Sequence, residues 1–303
     1  MRTALDGLSP LLALVLAPLL WGIVGRTKAI VAGRRGAPLL QWYFDVAKLL
    51  RKGAVYSTTT TWVFRCGPVV SLAAMLVAAT ILPFGSGAAL LSFSGDAVLF
   101  VYLFGLARFA TVLSALDTGS SFEGMGASRE VTFSALAEPA LLLGLLALAR
   151  ITDSLSLSAM LGGLGVAAWS SAGAALALIA FAFLGVFLAE NGRIPIDDPT
   201  THLELTMIHE VMVLDHGGPD LAFIFYASAL KFWLLGSLLC QIVLPVRSGV
   251  AGLDGVATLA GLVLLAILTG LIESSMARLR LPNVPQLLIG ACALSGVAIL
   301  LVL

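Results

Sequence analysis

The 303-residue sequence is poor in charge: Lys, Arg, Asp and Glu together make up 11% of it, against about 25% in soluble domains. Mean hydropathy is +1.04 and 59% of the residues are hydrophobic. That much apolar surface excludes a fold covered by water and calls for cover by lipid. It also excludes disorder. The formal net charge is zero, so the basic excess of a nucleic-acid binder is missing. Cysteine is scarce. Cys66, Cys240 and Cys292 lie in or beside apolar runs without ligand spacing, which excludes a disulfide framework or a cluster site and leaves core or lipid-facing thiols. The three histidines, His202, His209 and His216, repeat every seven residues. Side chains two turns apart cannot all reach one metal, and the position a zinc protease would fill with a second histidine is Val213. No metal or haem motif is present, and no nucleophile, base and orienter share a solvent-facing element. The chain is therefore expected to hold no catalytic residue, cofactor or metal of its own. An internal repeat, the mark of many secondary transporters, is also lacking.

Long apolar runs are what the chain has. Eight can span a bilayer, which takes about 20 residues each: about 8–25, 66–83, 96–116, 131–149, 163–189, 220–245, 255–274 and 285–303. The start of the chain resembles a signal peptide only superficially, because its charges are Arg2 and Asp6 and no small-residue cleavage site follows; a retained span is expected. After the first span comes a basic stretch, 26–65. From Pro38 it turns periodic, with Leu39, Leu40, Trp42, Tyr43, Val46, Leu49 and Leu50 on one side and Gln41, Asp45, Lys48 and Lys52 on another. That spacing predicts an amphipathic helix at the membrane interface, or one packed on a partner.

The expected fold is all-α, a single polytopic membrane domain over residues 1–303 with eight transmembrane helices. An interfacial helix follows the first, and a long acidic cytoplasmic loop follows the fifth. The loops are expected at 26–65, 117–130, 190–219 and 275–284. Their side of the membrane receives Arg26, Lys28, Arg34, Arg35, Lys48, Arg51, Lys52, Arg65, Arg129, Arg193, Arg278 and Arg280, while the other receives Arg2, Arg150 and Arg247. Basic residues mark the cytoplasm, so both termini are expected outside.

Charges also fall inside the spans, where they are costly and usually face protein or water. Arg108 and Asp117 belong to the third span, Glu138 lies beside Pro139 in the fourth, Glu190 closes the fifth, Lys231 lies in the sixth and Glu273 closes the seventh. Together they suggest a hydrated half-channel for protons. The plainer alternative is structural ion pairing, Arg108 with an acid or Lys231 with Glu190.

The stretch from Glu190 to Asp220, ENGRIPIDDPTTHLELTMIHEVMVLDHGGPD, is unlike the rest. It carries all three histidines and, besides its terminal acids, Asp197, Asp198, Glu204, Glu210 and Asp215, with Arg193 as its one basic residue. Pro195 and Pro199 forbid a continuous helix at its start. Asp197 or Asp198 suits a cap. Thr201 and Glu204 have capping-box spacing and predict a helix from about His202 to Leu214. Glu204, Glu210 and Asp215 read as a charged surface that docks a subunit or guides protons.

These words resemble the signature loop of the membrane-anchor subunit family of respiratory complex I, the NADH dehydrogenase subunit 1 family. The match is nearer to the branch found in membrane-bound nickel–iron hydrogenases of the formate hydrogenlyase and hydrogenase-4 type. KAIVAGRRGAPLLQWYFDVAKLLRK at 28–52 resembles the family's first cytoplasmic loop, GSSFEGMGASRE at 119–130 its loop after span three, and Arg278 to Pro282 its end of span seven. Arg193, Pro195 and Asp197 match the quinone-reducing enzymes too, but Ile196, Asp198, Thr200, Thr201 and His202 depart from them.

The resemblance implies a non-catalytic subunit of a hydrogen-evolving complex, linked to formate or ferredoxin, in a bacterial or archaeal cytoplasmic membrane. The implied partners are nickel–iron hydrogenase large and small subunits, an iron–sulfur electron-transfer subunit and antiporter-like membrane subunits. The nickel–iron centre and iron–sulfur clusters would belong to those partners. Coupling to proton or sodium translocation would run through Asp117, Glu138, Glu190, Glu204, Glu210, Asp215, Lys231, Glu273 and Arg108. Docking would use Arg34, Arg35, Gln41, Asp45, Lys48, Arg129, Arg193, Asp197, Arg278 and Arg280. A quinone-chamber subunit of complex I and a purely structural anchor are the competing readings.

Overall fold

The computed structural model describes residues 8–198, 207–248 and 250–303. Among them are eight helices long and apolar enough to cross a membrane. These are α1 (Leu8–Val31), followed after the short α2 (Gln41–Leu50) by α3 (Trp62–Ile81), α4 (Asp96–Asp117) and α5 (Ser121–Thr152). The short α6 (Leu157–Gly163) leads into α7 (Val166–Glu190), then α8 (Gly218–Val243), α9 (Ala251–Ser275) and α10 (Val284–Leu300), which with the 3₁₀ turn before it makes the eighth crossing, Leu281–Leu300. No strand occurs among the described residues.

In α8, Leu230 and the run Phe232–Ile242 are buried on all sides, as expected of a helix apolar all round. It packs against α1, α2, α3, α7 and α9, while α10 packs on α5 and α7. Pro219 enters α8 in its first turn, where a missing N–H costs nothing.

Several helices run past their apolar cores into polar sequence. α1 continues to Val31, which puts Lys28 in its last turn. The larger departure is α5. A loop is expected over 117–130, yet the helix starts at Ser121. Hydropathy marks where lipid-compatible residues begin, and these first turns are covered instead by protein. Val211 and Met212 pack so closely over Gly126 that a Cβ there would meet Val211 Cγ1 at 2.3 Å. Small residues that let segments approach this closely are a common device where lipid removes the hydrophobic drive between helices.

The helix expected from His202 to Leu214 also needs correction. Thr200, Thr201, His202 and Glu204, and the capping box with them, lie outside the described residues. From 207 to 214 the chain makes a bend and a single 3₁₀ turn, Glu210–Val213. Asp197 Oδ2 accepts from the backbone N–H groups of Ile208 and His209 at 3.1 and 3.0 Å. Those donors are thereby taken up by a side chain at the place where an α-helix would use them.

Contacts sort the loops onto two ends. At one end Asp117 holds Thr61, Arg278 holds Asp197, and Gly218 lies against the backbone of Gly53. At the other, Asp96 holds Leu157 and Arg247 holds Gly85. The basic loops share the first end.

Candidate functional site

A connected set of charges begins at the loop-rich end and enters the helix bundle. Arg278 Nη2 lies 3.1 Å from Asp197 Oδ1, and Asp197 Oδ2 lies 3.2 Å from His209 Nδ1. On the other face of the ring, His209 Nε2 is 3.2 Å from Glu130 Oε2. Glu130 Oε1 is 3.1 Å from Arg108 Nε. Arg108 then donates through Nη1 to Glu138 and through Nη2 to Glu190. Lys231 Nζ closes the line 3.7 Å from Glu190 Oε2. One guanidinium thus serves three carboxylates from α5 and α7, in the forked geometry that only Arg offers. At Glu130 the N–H directions of Arg108 Nε and His209 Nε2 miss hydrogen-bond alignment, so these two contacts are charge contacts at close range.

Two small cavities flank the line. One, of about 90 Å³, is lined by Arg108, Glu130, His209, Glu210, Ser228 and Lys231 together with apolar residues of α3, α4 and α8. The second, of about 50 Å³, is lined by Glu190, Asn191, Gly192, Asp197 and the same His209, Glu210, Ser228 and Lys231. A water needs roughly 10–15 Å³ of such space and several polar neighbours, so both can be wet. Gly192 carries the positive φ (+57°) of the turn after α7, and a Cβ there would lie 2.8 Å from His209 Nδ1. The ring fits because this residue is glycine.

The environment acts on the loop residues in opposite ways. Burial works against the charged form of His209, but the nearby Glu130 carboxylate and the hydrogen bond to Asp197 outweigh it and hold its pKa above the ordinary histidine value. Burial likewise pushes Asp197 up, but hydrogen bonds and charge from His209, with help from Arg278, bring it below the ordinary carboxylate value. His216 has no carboxylate on its ring among the described residues. It stacks on Phe64 at 3.9 Å between centroids and meets Ser114 Oγ at 3.1 Å, and burial pushes its pKa down to about 4.

A second group sits beside α1. Glu273 Oε2 is 2.8 Å from Lys28 Nζ, and its Oε1 is 3.3 Å from Arg193 Nη1. Arg193 lies over the rings of Trp21 and Phe232, 4.6 and 5.5 Å from their centroids, a favourable seat for a cation. Glu210 acts on Arg193 through its charge.

Glu138, Glu190, Lys231 and Arg108 therefore meet in one cluster, and the pairs foreseen as plain ion pairs, Arg108 with an acid and Lys231 with Glu190, are present. Asp117 stands apart. It accepts from Thr61 N and Oγ1 and from Phe64 N at 2.6, 2.9 and 3.2 Å, so it reinforces the start of α3, whose N-cap is Thr61. Asp215 is exposed and its backbone N–H goes to Glu123. Two docking candidates turn inward: Asp197 is 1% exposed and Arg193 7%, because buried partners within the chain hold them. Arg278 also spends its guanidinium on Asp197, and Arg129 Nη1 donates to Met207 O at 2.8 Å. Arg34, Arg35 and Arg280 are exposed; Gln41, Asp45 and Lys48 lie on α2, where Gln41 Nε2 donates to Asp45 at 2.9 Å.

Sequence reasoning missed Glu130, His209 and Lys28. Glu130 was hidden in an expected loop. His209 was hidden in a histidine repeat that argued only against a metal.

An eight-helix membrane subunit with a buried ion-pair line leading inward from its loops is the class of protein that fold and site define. The chain belongs to the family described as NADH dehydrogenase, whose family model matches residues 7–303. It is 35% identical to formate hydrogenlyase subunit 4 of Escherichia coli (strain K12) over 91% of each chain. It is also 35% identical to hydrogenase-4 component C of the same organism, over 88% of this chain and 85% of that one. Its fold is shared with a chain of the membrane-bound sulfane sulfur reductase, an archaeal respiratory membrane complex, at a TM-score of 0.83 with 98% of both chains covered and 18% identity.

Proposed function

We propose that this chain is the membrane subunit of a hydrogen-evolving hydrogenase complex of the formate hydrogenlyase type, and that its buried charges couple the redox reaction of that complex to ion translocation. Similarity to formate hydrogenlyase subunit 4 over 91% of each chain supports the assignment. The observation that carries the coupling is the unbroken line from Arg278 through Asp197, His209, Glu130 and Arg108 to Glu190 and Lys231. It joins a loop at the surface to carboxylates inside the bundle.

The line works by charge. Its carboxylates are Asp197, Glu130, Glu138 and Glu190; its permanent cations are Arg108, Lys231 and Arg278. Taken alone it balances only when one further proton is held, on His209 or on an acid. A buried set of this kind responds to a nearby change of charge by moving that proton, because the interior screens charge poorly. Redox change in a subunit seated over the loops would shift Asp197 and Arg278, and the shift would reach Glu190 through shared partners. Nickel–iron hydrogenase large and small subunits, an iron–sulfur subunit and antiporter-like subunits are the partners this reading requires. Arg34, Arg35 and Arg280 supply the exposed basic surface for docking, with the polar face of α2 beside them.

In this reading the basic end faces the cytoplasm and both termini lie outside. α2 lies at the interface, with Leu39, Leu40, Phe44 and Leu50 exposed along it. Water in the cavity of about 90 Å³, where Arg108, Glu130, His209, Glu210 and Lys231 meet apolar side chains, is the occupant this reading requires. The test is purification through a tag on this chain in mild detergent, with mass spectrometry of co-purifying proteins and an assay of hydrogen evolution. Nickel–iron hydrogenase subunits and hydrogen evolution are the expected result. An NADH-oxidising module with bound quinone would replace this reading with the quinone-chamber one.

A further inference from the structure

His209 occupies a singular place in the line. Its Nδ1 hydrogen-bonds Asp197 Oδ2 at 3.2 Å on the loop, and its Nε2 faces Glu130 Oε2 at 3.2 Å on α5. Its ring also lines both cavities. It therefore stands between two spaces that can each hold water, with a carboxylate on either side. The ring is seated against Gly192, where a Cβ would collide with Nδ1. The charges facing it are Asp197, Glu130, Glu190 and the adjacent Glu210 on the acidic side, with Lys231 and Arg108 on the basic side.

We propose that His209 is a proton relay that passes a proton between water in the cavity beside Asp197 and the carboxylate Glu130 on α5. This rests on the coupling role proposed above. Imidazole suits the task because its two nitrogens are separate proton sites on one ring. In the transfer step a proton delivered through water in the smaller cavity is captured by the lone pair of Nδ1, beside the ionised Asp197, while Nε2 still carries its own. The imidazolium then releases the Nε2 proton to Glu130 Oε2, directly or through a water in the larger cavity, and the N–H electron pair stays on Nε2. One proton has entered and one has left. The ring is now the Nδ1–H tautomer, and rotation about Cβ–Cγ or a water-borne return of the proton resets it. The misaligned Nε2 contact with Glu130 fits a ring that must turn, or bind a water, to complete the transfer. A purely structural role would be different: His209 would clamp the loop to α5, and any side chain able to bridge the gap would do.

The experiment uses the intact complex, purified through this chain and sealed in vesicles, with hydrogen evolution and vesicle pH followed together. His209→Gln and His209→Asn fill the site and donate a hydrogen bond but cannot relay a proton. The relay predicts that both assemble and evolve hydrogen once an uncoupler is added, that proton movement falls at least about tenfold, and that added imidazole restores part of it. Glu190→Gln is run beside them. If the His209 variants move protons like the parent while Glu190→Gln does not, the relay is wrong and the charge line stands. If Glu190→Gln also behaves like the parent, the coupling reading itself fails. Loss of assembly in both His209 variants, or transport of sodium and no protons by the parent, overturns the relay as well.

Discussion

The two ends of the bundle use the same kinds of charged residue in different ways. At the end opposite the basic loops, Asp96, Asp254 and Arg247 each have a local task. Asp96, fully buried, accepts from Leu157 N, Ser156 Oγ and Phe93 N at 2.6, 3.0 and 3.2 Å. Asp254 holds Ser248 N and Oγ at 2.8 and 2.7 Å. Arg247 donates to the carbonyls of Gly85 and Leu161. These groups satisfy backbone at turns and helix starts, and none of these bonds passes on to another charge. At the loop-rich end charges hold charges: Asp197, His209, Glu130, Arg108 and Glu190 each share a partner with the next. A cap fixes a turn, whereas a run of shared partners lets a change at one member be felt at another.

Substitutions at the two ends should therefore fail in different ways. The largest effect is expected at Arg108. Arg108→Leu leaves Glu130, Glu138 and Glu190 facing one another without their cation, and removing one partner of a buried ion pair costs about 3–5 kcal/mol. Loss of the assembled complex, read by co-purification and detergent-melting temperature, is the expected outcome. Native-like stability would mean that water already screens the cluster.

Asp96→Ala should come next in stability and be silent in coupling. It frees buried donors at Leu157 and Phe93, so stability falls by roughly 1–2 kcal/mol and the melting temperature falls with it. The ratio of protons moved to hydrogen evolved should stay at the parent value. A changed ratio would erase the distinction between the two ends. Asp117→Ala tests the same distinction within the loop-rich end. Losing the carboxylate that takes up N–H groups at the start of α3 should cost about 1 kcal/mol of stability and leave coupling intact, and a coupling defect would return it to the proton path.

The smallest effects separate His209 and His216 by pH. His216 is held neutral, with a pKa near 4, and an unfolded histidine titrates near 6.5. Below that value the unfolded chain takes up the proton first, so stability is lost as pH falls from about 6.5 toward 4. His209 has a raised value. Its contribution is complete below about 6.5 and is lost as pH rises through its folded pKa. Melting temperature against pH should therefore lose its acid-side slope in His216→Gln and part of its alkaline-side slope in His209→Gln. Identical profiles in the two variants would contradict the assigned environments.

How much of this was legible in the sequence differs by scale. The eight helices were, because lipid demands long apolar runs and those survive any reading error at the ends. The 190–220 stretch stood out for the same reason in reverse. Arg108, Glu138, Glu190 and Lys231 could be singled out singly, since a charge in a span is conspicuous. Their meeting at one guanidinium could not, because it depends on how α4, α5, α7 and α8 are rotated. Glu130 was lost because polar helical turns covered by protein look like loop. The resemblance implies docking by Asp197, Arg193 and Arg278, and a loop sequence does not show that the chain folds back and buries Asp197 and Arg193. Asp117 lay near a span end, where position alone does not separate a cap from a conducting acid.

The central claim is that the buried line carries coupling. The direct test is the number of protons moved per hydrogen evolved by sealed vesicles containing the complex with Glu190→Gln. The amide keeps the size of the side chain and removes the charge that links Arg108 to Lys231. The account predicts intact assembly, continued hydrogen evolution when uncoupled, and a ratio lowered at least about tenfold. A ratio equal to that of the parent would contradict it and would leave the charges as internal ties of a structural anchor.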